Sequence, residues 1–92
     1  MSTRQEILEA VAVAAGHAWV RWWRAELARQ GRPMSGGWPG TLSEARHRVL
    51  MHAVSQMAAD GALSDHELTD LARTAFATAR ADWMASAVRE PD

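Results

Sequence analysis

Three times in this chain a hydroxyl side chain is followed three positions later by a glutamate: Thr3 with Glu6, Thr41 with Glu44, and Ser64 with Glu67. In that arrangement the hydroxyl accepts a bond from an orphan backbone N–H at a helix start, and the carboxylate accepts one from the backbone N–H of the capping residue. Three such boxes mark three helix starts. The stops are equally explicit: Gly31 with Pro33 behind it, and Asp60-Gly61. The spacing predicts helices over about 4–30, 42–59 and 65–88, with 89–92 as a frayed end. The Gly/Pro-rich stretch 31–41, "GRPMSGGWPGT", is the only long loop. The 60–64 connection is short, so the second and third helices should form an antiparallel hairpin. The expected fold is all-α: one helical domain over 1–92, a three-helix bundle.

A chain of 92 residues buries only a modest share of its surface on folding. Nineteen of those residues are alanine, which favours helix but contributes little area per side chain. Val13, Val20, Met51, Met84 and Val88 fall off the inward helix faces, so dimerisation would complete the burial. A homo-oligomer or a protein partner is therefore expected.

Winding residues 4–30 at 100° per residue places Leu8, Ala12, Ala15, Trp19, Trp22 and Trp23 on one face, with Val11 and Leu27 at its margins. His17, Arg21 and Arg24 fall on the opposite face. The mixture of tryptophan and arginine in "HAWVRWWRAELARQ" is thereby sorted into rings inward and guanidinium groups outward. The buried indole N–H groups then need acceptors. Two charges sit among apolar neighbours: Glu26 on the tryptophan face, and Arg46 on the Leu42, Leu50, Ala53 and Met57 face of the second helix. They are expected to meet as a partly buried pair. Trp38, in "SGGWPG", is expected to plug the open end of the bundle ahead of meeting a partner.

Net charge is −1, but its distribution is uneven. Residues 17–48 carry six arginines against Glu26 and Glu44, whereas 49–92 carry three arginines against seven acids. Such a dipolar chain can close on itself or pair with a second copy. All ten basic residues are arginine, as a GC-rich bacterial genome would give.

The turn "QMAADGALSDHELTDLA", residues 56–72, resembles the helix-turn-helix of TerB-like (tellurite-resistance type) helical domains and the second half of an EF-hand loop. In the EF-hand register Gly61 takes the glycine position, Leu63 the central hydrophobic and Glu67 the bidentate glutamate. Gln56 and Ala58 stand where the first ligands would be, and neither brings a carboxylate. The resemblance implies a helical accessory domain without catalytic or metal residues.

No cysteine is present, which removes thiolate chemistry and cysteine-held zinc and fits a reducing cytoplasm. No segment reaches 18 uncharged apolar residues, so no membrane span is expected. The histidines, at 17, 47, 52 and 66, lack the i, i+4 spacing of a zinc pair, and no nucleophile or phosphate-loop motif occurs. No cofactor and no enzymatic activity are expected. The leading role is a protein interaction or accessory module that self-associates. Nucleic-acid binding through the basic face of helix 1 (His17, Arg21, Arg24, with Arg29, Arg32 and Arg48) ranks second, against the negative net charge. A small-ligand pocket walled by Trp19, Trp22, Trp23 and Trp38 and oriented by Glu26 and Arg46 ranks third.

Overall fold

The computed structural model describes residues 3–32, 37–57 and 63–89, with side chains at 3–32, 37–52 and 63–85. Three helices form in the expected order: α1 (Arg4–Arg29), α2 (Leu42–Met57) and α3 (Asp65–Arg89). The fold is an all-α three-helix bundle, each helix packed on the other two. The Asp60-Gly61 stop, Ala58, Pro33, the side chains of Ala53, Gln56, Met57 and Val88, and the end of the chain at 90–92 lie outside what the structure describes. Among the described residues no helix is long and apolar enough to cross a membrane.

The helix starts obey their caps in graded fashion. Glu6 N–H donates to Thr3 Oγ1 at 3.2 Å, Glu44 N–H to Thr41 Oγ1 at 3.1 Å, and Glu67 N–H to Ser64 Oγ at 3.1 Å. Only at α3 is the box reciprocal, with Ser64 N–H donating to Glu67 Oε1 at 3.1 Å. The end of α1 is a Schellman motif: Gly31 N–H reaches Ala28 O at 3.1 Å and Arg32 N–H reaches Leu27 O at 2.9 Å. Gly31 takes φ 69°, a left-handed conformation natural to glycine.

Packing follows i, i+4 rows. On α1 one buried row is Leu8, Ala12, Gly16 and Val20, and the adjacent one is Val11, Ala15, Trp19 and Leu27 with half-buried Trp23 between the last two. On α3 the fully buried row is Leu71, Ala75, Ala79 and Trp83. Rows of this pitch interlock as ridges and grooves. They come close at Gly16, where an added Cβ would stand 2.8 Å from Ala75 O and 2.9 Å from Thr78 Cβ.

The burial pattern corrects the wheel on both α1 and α2. Val20, expected off the inward face, is buried, and Trp22, expected on it, is 42% exposed. Among the described side chains of α2 the buried ones are Ala45 and Val49, while Leu42 and Leu50, expected on the inward face, are 54% and 45% exposed. A straight wheel assumes one fixed interior direction, whereas an i, i+4 row drifts by about 40° per step at 100° per residue. Val13, Met51 and Met84 are exposed as expected.

Val49 packs with Leu8, Val11, Ala12 and Ala15, but Ala45 packs with Trp19, Val20 and Leu27. Advancing along α2 thus means retreating along α1, and the same clusters pair Val49 with Leu71 and Ala45 with Ala72 and Ala79. The hairpin of α2 and α3 is antiparallel, as expected, and α1 and α3 are parallel. The core has an aliphatic end around Val49 and an aromatic end where Trp19 and Trp83 are almost completely enclosed. Each enclosed ring contributes on the order of 4–6 kcal/mol of apolar burial, a large share in so alanine-rich a core.

Candidate functional site

The aromatic end is organised around Glu44. As the third residue of α2 it could have completed a capping box with Thr41. Its carboxylate turns instead across to α1, where Oε2 accepts the Nε1–H of Trp19 and the Nε1–H of Trp23, the latter at 3.0 Å. These are charge-assisted bonds to two indoles one helical turn apart. The negative charge also lies in the first turn of α2, where the helix dipole favours it.

Gly40 allows that approach. A Cβ there would run into Trp19 Cζ2 and stand 2.6 Å from Trp38 Cε2, so only glycine lets the backbone before α2 lie on the two rings. Trp38 sits edge-on to Trp19 at a centroid distance of 4.8 Å and to Trp83 at 5.4 Å. It is half-buried and fills the end of the bundle as a plug, with its Nε1 enclosed and without a hydrogen-bond partner among the described residues. Trp22 is the ring at the rim. It stands edge-on to Trp23, centroids 5.1 Å apart, and Arg48 lies over its face at 4.5 Å, a cation–π stack between α1 and α2.

The expected pairing of Glu26 with Arg46 does not occur. Glu26 accepts from Arg29 Nε at 3.1 Å and from Gln30 Nε2 at 2.8 Å, with Arg29 Nη2 closer still. Those bonds, Arg29 first, hold the Glu26 carboxyl below the usual carboxylate range. Arg46 donates to Thr69 Oγ1 at 2.8 Å and to Asp65 Oδ1 at 3.3 Å, both on α3. The physical reason is lateral. Arg46 leaves α2 on the flank that faces α3, and the flank facing α1 carries Glu44 and Arg48. The signal that could have singled out Glu44 was in the chain: two inward indole donors one turn apart need an acceptor, and residues 17–48 contain only Glu26 and Glu44 as acids.

The basic face of α1 is also redrawn. His17 Nδ1 lies 2.9 Å from Asp82 Oδ2, and Arg24 Nη2 lies 3.8 Å from Asp82 Oδ1. These two residues, expected to point away from the bundle, flank α3, because the parallel run of α1 and α3 brings Asp82 level with them. Arg21 remains exposed. Together with Arg4–Glu67 at 3.2 Å and Arg46–Asp65 at 3.3 Å, these contacts join basic side chains of α1 and α2 to carboxylates of α3. Glu67, the glutamate of the EF-hand register, is occupied by Ser64 and Arg4.

Trp19, Trp23, Trp38 and Glu44 therefore form a filled centre in which the Glu44 carboxylate takes the indole N–H groups of Trp19 and Trp23 and the Trp38 ring packs against Trp19, with Trp22 and Arg48 at its outer edge. Such a centre fixes helix positions and presents one aromatic outward. No protein-family model, curated protein or solved structure matches this chain.

Proposed function

We propose that this protein is a small non-catalytic helical interaction module that associates with a second copy of itself through the outer face of α1 and α2. The observation that carries this reading is the exposure of Trp22, at 42%, beside Trp19 and Trp23, which the Glu44 carboxylate draws inward. Ile7 and Met51 are also exposed, and on α1 the small side chains Ala14, Ala18 and Ala25 fall on the same side of the wheel between Ile7 and Trp22 or just beyond it. Aromatic, Met and Arg side chains on one face are the composition of an interface core, and alanines let a second helix come close. The attraction is apolar, carried by Trp22, Ile7 and Met51. The likeness of 56–72 to TerB-like domains supports an accessory role, and a chain without cysteine suits the reducing cytoplasm.

The test is solution mass by sedimentation equilibrium for the natural chain and for Ala14→Glu, an exposed position. The natural chain should be a dimer at micromolar concentration and the variant a monomer of unchanged helicity. A natural chain that stays monomeric at several hundred micromolar removes the proposal.

A further inference from the structure

On the side of the bundle away from Trp22, α2 and α3 border a half-open cavity of about 170 Å³ lined by Leu42, Ser43, Arg46, Thr69, Ala72 and Arg73. Its chemistry is two-sided. Ala72 is buried at its base and Leu42 is a half-exposed wall, while two guanidinium groups and two hydroxyls border it. One guanidinium is already oriented: Thr69 donates its hydroxyl to Asp65 O at 2.9 Å and so turns its lone pairs to Arg46 Nη1, 2.8 Å away. Among the described residues the only carboxylate on Arg46 is that of Asp65, whose side chain is 96% exposed, and an exposed ion pair is weak and screened. Arg73, one turn beyond Thr69, is exposed and makes no ion pair among the described residues. Two like charges therefore face one small apolar hollow with less than one effective countercharge.

The geometry points to a binding site for an aliphatic carboxylate: a branched group of four or five carbons in the hollow, its carboxylate held between Arg46 and Arg73. The size decides the class. The cavity is smaller than the roughly 300–1,000 Å³ of sites for drug-sized molecules, so it takes one aliphatic side chain and not a nucleotide or an aromatic cofactor. Guanidinium pairs prefer the planar carboxylate. A free short-chain acid and the carboxyl terminus of a peptide ending in an aliphatic residue present this same chemistry. The site does not involve the tryptophan centre or the self-association face, so it stands or falls separately from them.

The experiment is a titration of the full chain, at low ionic strength, followed through backbone amide resonances. The probes are 4-methylpentanoate, its neutral amide, N-acetyl-leucine and inorganic phosphate. Saturable shifts of Ser43, Thr69 and Arg73 with either carboxylate are expected, with a dissociation constant on the order of 1 mM. Arg73→Gln, at an exposed position that leaves the core untouched, should weaken binding roughly tenfold, as expected for one lost charge-assisted hydrogen bond. Thr69→Val should weaken it by freeing Arg46. Tighter binding of N-acetyl-leucine identifies a peptide terminus as the source, and tighter binding of the free acid identifies a small metabolite. The proposal is overturned if neither carboxylate saturates by about 20 mM, well above the expected constant. It is equally overturned if the amide or phosphate binds as well, or if Arg73→Gln changes nothing.

Discussion

Trp19 and Glu44, twenty-five positions apart, are joined by a hydrogen bond from the indole Nε1–H to the carboxylate oxygen that also serves Trp23. This relationship ties the start of α2 to the middle of α1, and Trp19 is only 1% exposed. Replacing Glu44 by alanine strands one buried indole donor and one half-buried one. The expected loss is about 2–4 kcal/mol, which for a domain of this size lowers the Tm by on the order of 10 °C or more. Glu44→Gln keeps an acceptor oxygen without the charge and should lose about half as much. Glu26→Gln is the contrast, because its partners are surface neighbours on its own helix, and it should barely move the Tm. Thermal melts followed by circular dichroism rank the three; a Glu26 variant that falls as far as Glu44→Ala would contradict the assignment.

Three glycines separate clash from conformation. Gly16→Ala and Gly40→Ala each put a Cβ under 3 Å from neighbours, against the α3 backbone in the first case and against two indole rings in the second. Overpacking of this kind costs about 1–3 kcal/mol, and at Gly16 it outweighs the gain of about 1 kcal/mol in helix propensity. Gly31→Ala meets nothing within 4 Å but must hold φ near 69°, a strain on the order of 1 kcal/mol. Urea titrations should place Gly31→Ala as the mildest of the three. The reverse order would mean that α1 and α3 are further apart than described.

The helix starts were legible because a cap is local chemistry: Thr3, Thr41 and Ser64 act on residues three positions away. The antiparallel hairpin followed from a short connection. Partner choice was not legible in the same way, since a wheel gives the angle of Arg46 or His17 but not which helix lies at that angle or at what height. Glu44 illustrates the limit. Its place in a capping box was a sufficient reason for its presence, and only the antiparallel approach of α2, with Gly40 lying on the rings, brings it level with Trp19 and Trp23. Val20 and Leu50 were misplaced for a related reason, because alanine-rich faces mark the interior direction weakly and the drift of an i, i+4 row goes unnoticed.

The box at the start of α3 makes stability depend on acid. The backbone N–H of Ser64, and then the charge of Arg4, hold the Glu67 carboxyl below its usual range of about 4.3. A carboxyl whose folded pKa is lowered stabilises the fold fully above its unfolded pKa, and that contribution disappears as pH falls through the folded value. Denaturation midpoints should therefore be flat from pH 7 to about 5 on this account and decline below the ordinary carboxylate pKa. Glu67→Gln should lower the neutral-pH midpoint and flatten the acid limb. A variant that keeps the full acid decline would assign it to other carboxyls.

Trp22 gives the self-association face an optical handle. It is the most exposed of the described indoles, whereas Trp19 and Trp83 are nearly enclosed and Trp23 and Trp38 half-buried. Acrylamide should quench one component of the fluorescence strongly, and Trp22→Phe should remove that component and shift the remaining emission to the blue. Iodide should act more effectively than caesium, because Arg48 lies over the ring and gathers anions there. If the face docks against a second copy, quenching should weaken as protein concentration rises through the association range, while Ala14→Glu stays fully quenchable throughout. Quenching that survives Trp22→Phe would place the accessible ring elsewhere and undo the orientation of α1 on which the interface rests.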